Sequence, residues 1–415
     1  MRVLLISANT ERISMVTIPL GLGLVAAAVR RAGHAVTFLD LLDAPDLRAA
    51  VSEAVERARP EAIGISIRNI DDQNCQNPRF LLEKAREAVA ACRERSRAPI
   101  VLGGAGYSIF PRAALAYLGA DFGICGEGEA AFPALLDCLG SGQDPRGIQG
   151  VHRAGDSGDG GRAAAGDLDR LPLWDEALEP YADRGAEEIW VPVQTRRGCP
   201  NDCSYCSTSH IQGRTLRCRS PWRAVEAMAA LARRGFRRFY FVDNTFNVPE
   251  AHALALCAGL RDLGLAWRCI LYPKPVNEPL VRAMAASGCV EASIGFESGS
   301  QAILRGMNKH FTPGDVRRCV ELLAAHHIRR MGFLLLGGPG ETRETVAQSL
   351  AFARSLNLDG MRVTVGIRLY PGTPLAARAL QEDIISPADD LLEPRFYLAP
   401  GLEPWIHQAI AQAGF

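Results

Sequence analysis

Short apolar runs alternate with segments of helical period along most of the chain. In residues 1–139 the runs Val3–Ser7, Val36–Leu39, Ala62–Ile67, Ile100–Leu102 and Phe122–Cys125 predict buried strands. Leu20–Ala32, Leu47–Ala58 and Phe80–Ser96 fall between them with helical spacing, the first closed by Gly33 and the second by Pro60. A further helix runs from the loop Gly126-Glu127-Gly128-Glu129 to Leu139. Five strands with helical crossovers predict an α/β, doubly wound, Rossmann-like sheet, whose ligands bind outside the carboxyl ends of its strands.

The pattern then breaks. Residues 140–166 hold nine Gly, a linker composition, with a small hairpin predicted around Val151–Arg153. Leu168–Asp175 reads as an extended arm, and the linker reaches residue 189. From Trp190 the alternation restarts. Strands are predicted at Trp190–Gln194, Phe239–Val242, Ala266–Leu271, Glu291–Gly295, Arg330–Leu336 and Gly360–Leu369. Helices are predicted at Pro221–Arg234, Glu250–Leu263, Pro279–Ala286, Pro313–His326 and Thr342–Ser355. Six βα units over 190–375 suit a partial (β/α)6 barrel, about three quarters of the eight-unit form. Residues 376–415 lose the pattern and read as a C-terminal extension.

Composition narrows the function classes. Lys+Arg and Asp+Glu each number 46, so the formal net charge is zero. That excludes a chain-wide basic field for nucleic acid or an acidic membrane surface. The densest basic stretch is Arg214, Arg217 and Arg219 with Arg233, Arg234, Arg237 and Arg238; it reads as a solvated helix face and a substrate-side loop. No apolar run reaches the ~18 residues of a membrane span, and Val3–Ile6 is too short for a signal core. The expectation is a cytoplasmic protein. Its twelve Cys are then reduced thiols or metal ligands rather than a disulfide framework.

Three of those Cys carry the strongest chemical signal. Cys199, Cys203 and Cys206 lie in Arg197-Gly198-Cys199-Pro200-Asn201-Asp202-Cys203-Ser204-Tyr205-Cys206, directly after the first strand of the second half. Chance placement gives this spacing about once in a hundred such chains. Short Cys spacings let thiolates converge on one soft metal centre. Three thiolates can hold three irons of a [4Fe-4S] cluster, leaving the fourth open to a small molecule. A zinc site with His210 as fourth ligand is a competing reading, and a redox or simply buried cysteine group is another. The other nine Cys lack such spacing and read mostly as small buried hydrophobes; Cys75 and Cys218, in loops near the site, stand apart.

The cysteine motif, with aromatic Tyr205 before its third Cys, resembles that of the radical S-adenosylmethionine (SAM) superfamily. Further segments in the same order are similar to other motifs of that family. Phe241-Val242-Asp243-Asn244-Thr245-Phe246 resembles the second-strand motif near the SAM amino group. Ser293–Ser300 with Met307-Asn308-Lys309 resembles the fourth-strand segment near the SAM ribose and carboxylate. Gly332–Leu336 with Gly337-Gly338-Pro339-Gly340-Glu341-Thr342 resembles the fifth-strand end near the adenine, and Leu369–Pro374 the sixth. The resemblance implies that Tyr205, Asp243, Asn244, Glu297, Ser298, Gly337, Gly338 and Gly340 contact SAM. Acidic Asp243 and Glu297 suit an ammonium and ribose hydroxyls. The simpler readings are that Asp243 caps a helix, that Glu297 pairs with Lys309, and that the glycines form a turn.

Residues 1–139 resemble the cobalamin-binding domain that precedes the barrel in one radical SAM subgroup. Leu20 opens the first helix after Ile18-Pro19; Gly103, Gly104, Tyr107 and Ser108 follow the fourth strand; Gly126, Glu127 and Gly128 follow the fifth. The resemblance implies that these glycines admit the corrinoid's nucleotide tail. The loop Arg68–Asn77, with Asn69, Gln73, Asn74 and Cys75, would lie near the lower face of the corrin. The Asp-x-His-x-x-Gly motif of classical cobalamin domains is absent from the sequence, which predicts a lower face without protein imidazole. The rival reading of this half is a flavodoxin-like domain without corrinoid.

Together these resemblances imply an enzyme with three cofactors: a [4Fe-4S] cluster, SAM and cobalamin. It would cleave SAM reductively to a 5′-deoxyadenosyl radical and methylate an unactivated carbon through methylcobalamin. An external electron donor of flavodoxin or ferredoxin type, and a small-molecule, lipid or peptide substrate, are the implied partners. Radical rearrangement or cyclisation, polar methyl transfer, and a cluster or corrinoid carrier without turnover are the alternatives. A tRNA substrate is disfavoured by the single cysteine triad and the lack of a basic terminal domain. Phe396, Tyr397 and Trp405 in the extension line a substrate pocket or pack the tail.

Overall fold

The computed structural model describes residues 1–12, 18–156, 160–178 and 189–415. The chain divides into two compact units. The first comprises Met1–Asp72, Arg79–Arg184 and Ser207–Gly213; the second comprises Gln73–Pro78, Gly185–Cys206 and Arg214–Phe415. Two short segments therefore belong to the unit opposite their sequence neighbours.

In the first unit, β1 (Arg2–Ser7), α1 (Leu20–Arg31), β2 (Ala35–Asp40), α2 (Leu47–Ala58), β3 (Ala62–Ser66) and α3 (Leu82–Arg95) follow the expected alternation. They are succeeded by β4 (Ile100–Gly103), α4 (Ala105–Ile109), α5 (Pro111–Leu118), β5 (Phe122–Ile124), α6 (Gly128–Ser141), β6 (Val151–Arg153) and α7 (Trp174–Ala177). The strand order is β2-β1-β3-β4-β5-β6. The first five strands are parallel, and the order reverses between β1 and β3, the switch point at which such sheets open to ligands. Among the described residues Val151–Arg153 has no hairpin partner of its own. It pairs antiparallel with β5 and closes that edge of the sheet.

The core follows from the apolar runs. Val3, Leu5, Leu22, Val29, Phe132 and Leu135 are buried in one cluster around β1, α1 and α6. Each such side chain contributes about 1.5–3 kcal/mol of burial. Gly23 brings α1 against α7: a β-carbon there would stand 2.5 Å from the Ala177 carbonyl. The short α4 and α5 were not legible as separate elements. α4 is one turn long, too short to show a period.

The second unit begins with β7 (Val191–Val193), then a small antiparallel pair, β8 (Arg196–Arg197) and β9 (Arg217–Cys218). Between these last two strands the chain carries the cysteine loop and then α8 (Thr208–Gln212), which belongs to the first unit. The βα alternation continues through α9 (Pro221–Arg233), β10 (Arg238–Phe241), α10 (Glu250–Leu260), β11 (Ala266–Leu271), α11 (Glu278–Ala286) and β12 (Cys289–Glu297). It ends with α12 (Gln301–Gly306), α13 (Pro313–Ala325), β13 (Arg329–Leu336), α14 (Arg343–Ser355) and β14 (Gly360–Val365). The order β14-β13-β12-β11-β10-β7 is all parallel and sequential, a partial barrel of six strands.

The expected last strand is interrupted at Gly366. Ile367–Arg368 (β15) turns away to pair with Phe396–Tyr397 (β16) of the extension. The extension also contains α15 (Pro374–Gln381) and α16 (Trp405–Gln412). Tyr397 is buried with its hydroxyl on Glu382 (2.6 Å), and Trp405 stacks on Arg343, so these tail aromatics pack the tail.

Alternation sorts the barrel strands. Phe241 and Trp267 face outward and meet edge-on at 5.2 Å between ring centres, and each meets Phe246 tilted at 5.0 Å. The inward face carries half-buried Ser293, Met331 and Phe333. Asn247 bolts the ends of β10 and β11 together. Its Oδ1 accepts from Tyr272 N (3.0 Å), and its Nδ2 donates to the carbonyls of Tyr272 (2.8 Å) and Pro275 (2.7 Å). Asn247→Ala strands three buried backbone groups and should cost about 2–4 kcal/mol in urea unfolding. A loss below about 0.5 kcal/mol would show that the bolt carries no load.

Candidate active site

The cysteine loop is held at its entrance by Asp243, at the carboxyl end of β10. Asp243 Oδ1 accepts from the backbone N–H of Thr195 (2.8 Å) and Arg196 (3.0 Å), and Oδ2 from Thr195 Oγ1 (2.6 Å). Arg196 reciprocates. Its guanidinium lies 3.6 Å from Asp243 Oδ2 and donates to the carbonyls of Phe246 and Val248. Both side chains are fully buried. Gly198 then turns with φ +89°, where a β-carbon would collide with the Thr215 carbonyl.

The loop itself rests on the segment after α12. Ser204 N donates to Met307 O (3.1 Å), and Ser204 Oγ to Gly306 O (3.4 Å). Asn308 Nδ2 donates to Asp202 O (3.2 Å), and His310 Nε2 meets Asp202 Oδ1 at 2.7 Å. That hydrogen bond holds the Asp202 carboxyl below its usual range. Leu375 N donates to Ser204 O (2.9 Å) from the start of α15.

Cys199, Cys203 and Cys206 are half-buried and unoxidised. Burial pushes the Cys199 and Cys203 thiols up, so a soft metal must displace their protons to gain thiolates. Among the described residues no three His, Cys, Asp or Glu converge as ligands of one ion, as tetrahedral zinc requires. A cubane cluster places each thiolate on a different iron, so its three Cys need not meet at a point. His210 sits in α8, within the first unit. The donor set therefore fits the cluster better than zinc.

Beside the loop stands a buried ion pair. Lys309 Nζ lies 3.2 Å from Glu297 Oε1 and 5.2 Å from the centre of the Tyr205 ring. Burial alone would push the Lys309 ammonium down, but Tyr205, Glu297 and Cys203 hold it well above its ordinary value. Burial raises the Tyr205 hydroxyl. Glu297 occupies the left-handed region at φ +59°, where the register between β12 and β13 shifts by a bulge. Its carboxylate folds back over Gly295, where a β-carbon would stand 2.9 Å from Oε1. A left-handed glutamate at a bulge is strained, and such strain clusters at functional sites.

The structure gives protein partners to several of the residues expected to contact SAM. Asp243 is fully buried, and both its oxygens accept from the chain after β7. Its neighbour Asn244 is half-buried. Ser298 is fully buried, its Oγ bonded to Ser349 Oγ (2.9 Å) and accepting from Ser300 N (3.1 Å). Gly337 (φ +94°) and Gly338 give their N–H groups to the Glu341 carboxylate, while Gly340 borders open space. Glu341 had not been singled out as a site residue. Its signal was an acid three residues beyond a diglycine at a strand end.

In the first unit, Asn69 lines a shallow recess with Ala8, Asn9, Glu11, Ile67 and Arg68, at the carboxyl ends of β1 and β3. Leu20 is buried at the start of α1. Tyr107 is fully buried, its ring over Gly123. Ser108 Oγ links strand ends, donating to Gly104 O (2.9 Å) and accepting from Gly126 N (2.9 Å). Gly104 and Gly126 have no room for a β-carbon against Ile67 and Ala163, whereas Gly103 faces only Ile124 O at 4.0 Å. Gly128 meets Val25 at 3.0 Å, and Glu127 Oε2 accepts from Ala165 N (2.8 Å). Gln73 and Asn74 belong to the second unit. Gln73 donates to Tyr370 Oη (2.9 Å), Asn74 Oδ1 accepts from Gln76 N (3.1 Å), and Cys75 packs on Gly366.

Glu341 generates a pH prediction. Burial raises its carboxyl from 4.5 to about 7, against the two glycine N–H groups that favour the anion. The folded chain thus keeps a proton that the unfolded chain releases near 4.5. The stability this gives is full below 4.5 and is lost as pH rises through about 7, by an amount on the order of 3 kcal/mol. Glu341→Gln should flatten the stability curve between pH 5 and 8. An unchanged slope would assign the titration elsewhere.

Known proteins share this arrangement. Residues 6–136 match the B12 binding domain, and residues 193–353 match the radical SAM superfamily. An uncharacterized methyltransferase of Pyrococcus horikoshii is 27% identical over 88% of this chain and 79% of its own length. The tryptophan 2-C-methyltransferase of Streptomyces laurentii is 25% identical over 89% of this chain and 73% of its own. The structure of the radical SAM methyltransferase TsrM from Kitasatospora setae, with cobalamin and a [4Fe-4S] cluster bound, superposes with a TM-score of 0.86. That match spans 99% of this chain and 88% of that one at 23% identity, and it carries the fold. A B12-binding sheet followed by a radical SAM barrel with its three-cysteine loop makes this chain a member of the cobalamin-binding radical SAM superfamily.

Proposed function

We propose that the protein is a cobalamin-dependent radical SAM methyltransferase acting on an unactivated carbon of a small molecule. The observation that supports this most is the cysteine loop. Three thiols of one short loop, which backbone bonds fix at the carboxyl end of a barrel, stand in a chain that also carries a B12-binding domain. The bound groups supply the hard chemistry: an electron from the cluster, a 5′-deoxyadenosyl radical and a methyl group from SAM, and methyl carriage by cobalamin.

The chain's own residues bind and orient. Cys199, Cys203 and Cys206 hold three irons. Lys309 neutralises Glu297, and the pair sets one charged wall of the SAM site, with Asn244 and the Gly337–Gly340 turn as further walls. Arg268 lies over the rings of Trp190 (4.2 Å) and Tyr240 (5.1 Å). The working domain limits are 1–139 for cobalamin, 140–189 for the linker, 190–375 for the barrel and 376–415 for the extension. Tryptophan is named as the substrate of one relative, and a compact aromatic or amphiphilic molecule suits the half-buried Met331 and Phe333 of the inward face. An acidic flavodoxin or ferredoxin would supply the electron in the cytoplasm. No helix among the described residues is long and apolar enough to cross a membrane.

Chain purified without oxygen from cobalamin-fed cells should carry about four irons and about one corrinoid. Cys→Ala at 199, 203 and 206 should remove the iron and all 5′-deoxyadenosine formation from SAM. Retained cleavage would sink the cluster assignment. Methyl transfer without 5′-deoxyadenosine would point to the polar route, and iron without corrinoid would defeat the methyltransferase reading. Gly103→Leu has space to fold, so it should lower corrinoid content at least ~10-fold while leaving iron intact. Unchanged corrinoid content would place the nucleotide tail elsewhere.

A further inference from the structure

Arg162 lies in the glycine-rich stretch after α6, where the sequence offers no motif. Its neighbours fix it firmly. Ala163 N donates to Cys125 O (2.8 Å), Glu127 N to Ala163 O (3.0 Å), and Ala165 N to Glu127 Oε2 (2.8 Å). Gly126 and Ala163 form a parallel bridge. These bonds lay residues 163–165 along the loop that leaves the carboxyl end of β5. The Arg162 side chain crosses Gly126, where a β-carbon would stand 2.7 Å from Cγ. Its guanidinium ends at Gly213, the residue that closes α8, where a β-carbon would collide with Nη2. α8 in turn packs on α4, which starts at the end of β4.

This guanidinium is unsatisfied. Among the described residues Arg162 makes no hydrogen bond or ion pair, although its Nη1 is sealed from solvent. α8 carries a second such atom, His210 Nδ1, also buried without a partner. Buried polar groups in folded proteins are bonded almost without exception, and an exception asks for a missing acceptor. The place is the carboxyl end of a doubly wound sheet, where ligands bind. A planar fork with a permanent charge suits a phosphate better than a neutral carbonyl.

We propose that Arg162 binds the phosphodiester of the corrinoid's nucleotide tail, so that the linker segment supplies part of the cobalamin site. The inference rests on the first unit binding a corrinoid. It differs from the glycine contacts considered above, because here a side chain selects a corrinoid that carries its tail.

The test compares cobalamin with cobinamide, the same corrin lacking the nucleotide tail and its phosphodiester. Affinities are measured by spectral titration of the full-length chain. Arg162→Ala and Arg162→Met should weaken cobalamin about 10- to 100-fold, the range of a charge-assisted hydrogen bond, and leave cobinamide unchanged. Arg162→Lys should recover part of the loss through its point charge. The melting temperature of the corrinoid-free chain should stay level or rise in the Met variant, because the side chain has no partner to lose. Equal cobalamin affinity in variant and wild type would overturn the proposal. So would equal losses for both corrinoids, which would mean a contact to the ring or a damaged fold. If inorganic phosphate protects wild type but not the variants, while cobalamin affinity stays equal, the site takes a free anion and the proposal falls. Wild-type chain that binds neither corrinoid would instead refute the cobalamin reading, and this inference with it.

Discussion

The buried pair of Asp243 and Arg196 governs where the chemistry can take place. Both oxygens of Asp243 accept from Thr195 and Arg196, and Arg196 donates to the carbonyls of Phe246 and Val248. The exits of two neighbouring strands are thereby tied to each other three residues before Cys199. A pair this deeply buried is poor evidence of net stability, since desolvation offsets much of the attraction. Its effect is positional. Removing either partner would leave a charge buried and unpaired, so the loop has one favourable arrangement. Radical chemistry at a carbon depends on placing reactants within a fraction of an ångström, and rigid entry to the cluster loop is the first requirement.

The same economy explains Glu297. A bulge in β12 turns it inward in a left-handed conformation that glutamate seldom adopts. The strain persists because Lys309 holds the carboxylate, and Lys309 is itself held between that carboxylate and the Tyr205 ring. Tyr205 belongs to the cysteine loop, and Asn308, next to Lys309, is bonded to the carbonyl of Asp202. The cysteine loop, Tyr205, Lys309 and Glu297 are thus one connected network. A change in any member shifts the others, and substitutions here should not act additively.

Much of this was legible in the sequence, for identifiable reasons. Strand positions such as Val3–Ser7 and Ala266–Leu271 follow from apolar period and length, which local chemistry controls. The cysteine spacing is local as well. What the sequence hid depends on contacts between distant residues. The bonds that Asp243 accepts from Thr195 and Arg196, some fifty positions earlier, leave no mark in the sequence. Gln73 and Asn74 sit in a stretch that reads as first-half loop, yet Gln73 bonds to Tyr370. Ser298 points at α14, a direction that a bulge sets and no pattern encodes. Arg162 had no signal at all, because a cation in a glycine-rich stretch looks like linker.

The glycines carry a last consequence. Gly104, Gly126 and Gly337 stand at strand ends where cofactors of such folds lie, and their small size suggests cradles. In each case the missing β-carbon makes room for the chain itself: Ile67, Ala163 and Leu398 fill those spaces. These glycines let the backbone pack tightly. On the reading proposed above, recognition comes from backbone N–H groups and from side chains such as Asn69, Glu297 with Lys309, and Arg162. A glycine pattern therefore marks the architecture that places a cofactor, while the identity of that cofactor is written in the polar side chains the pattern omits.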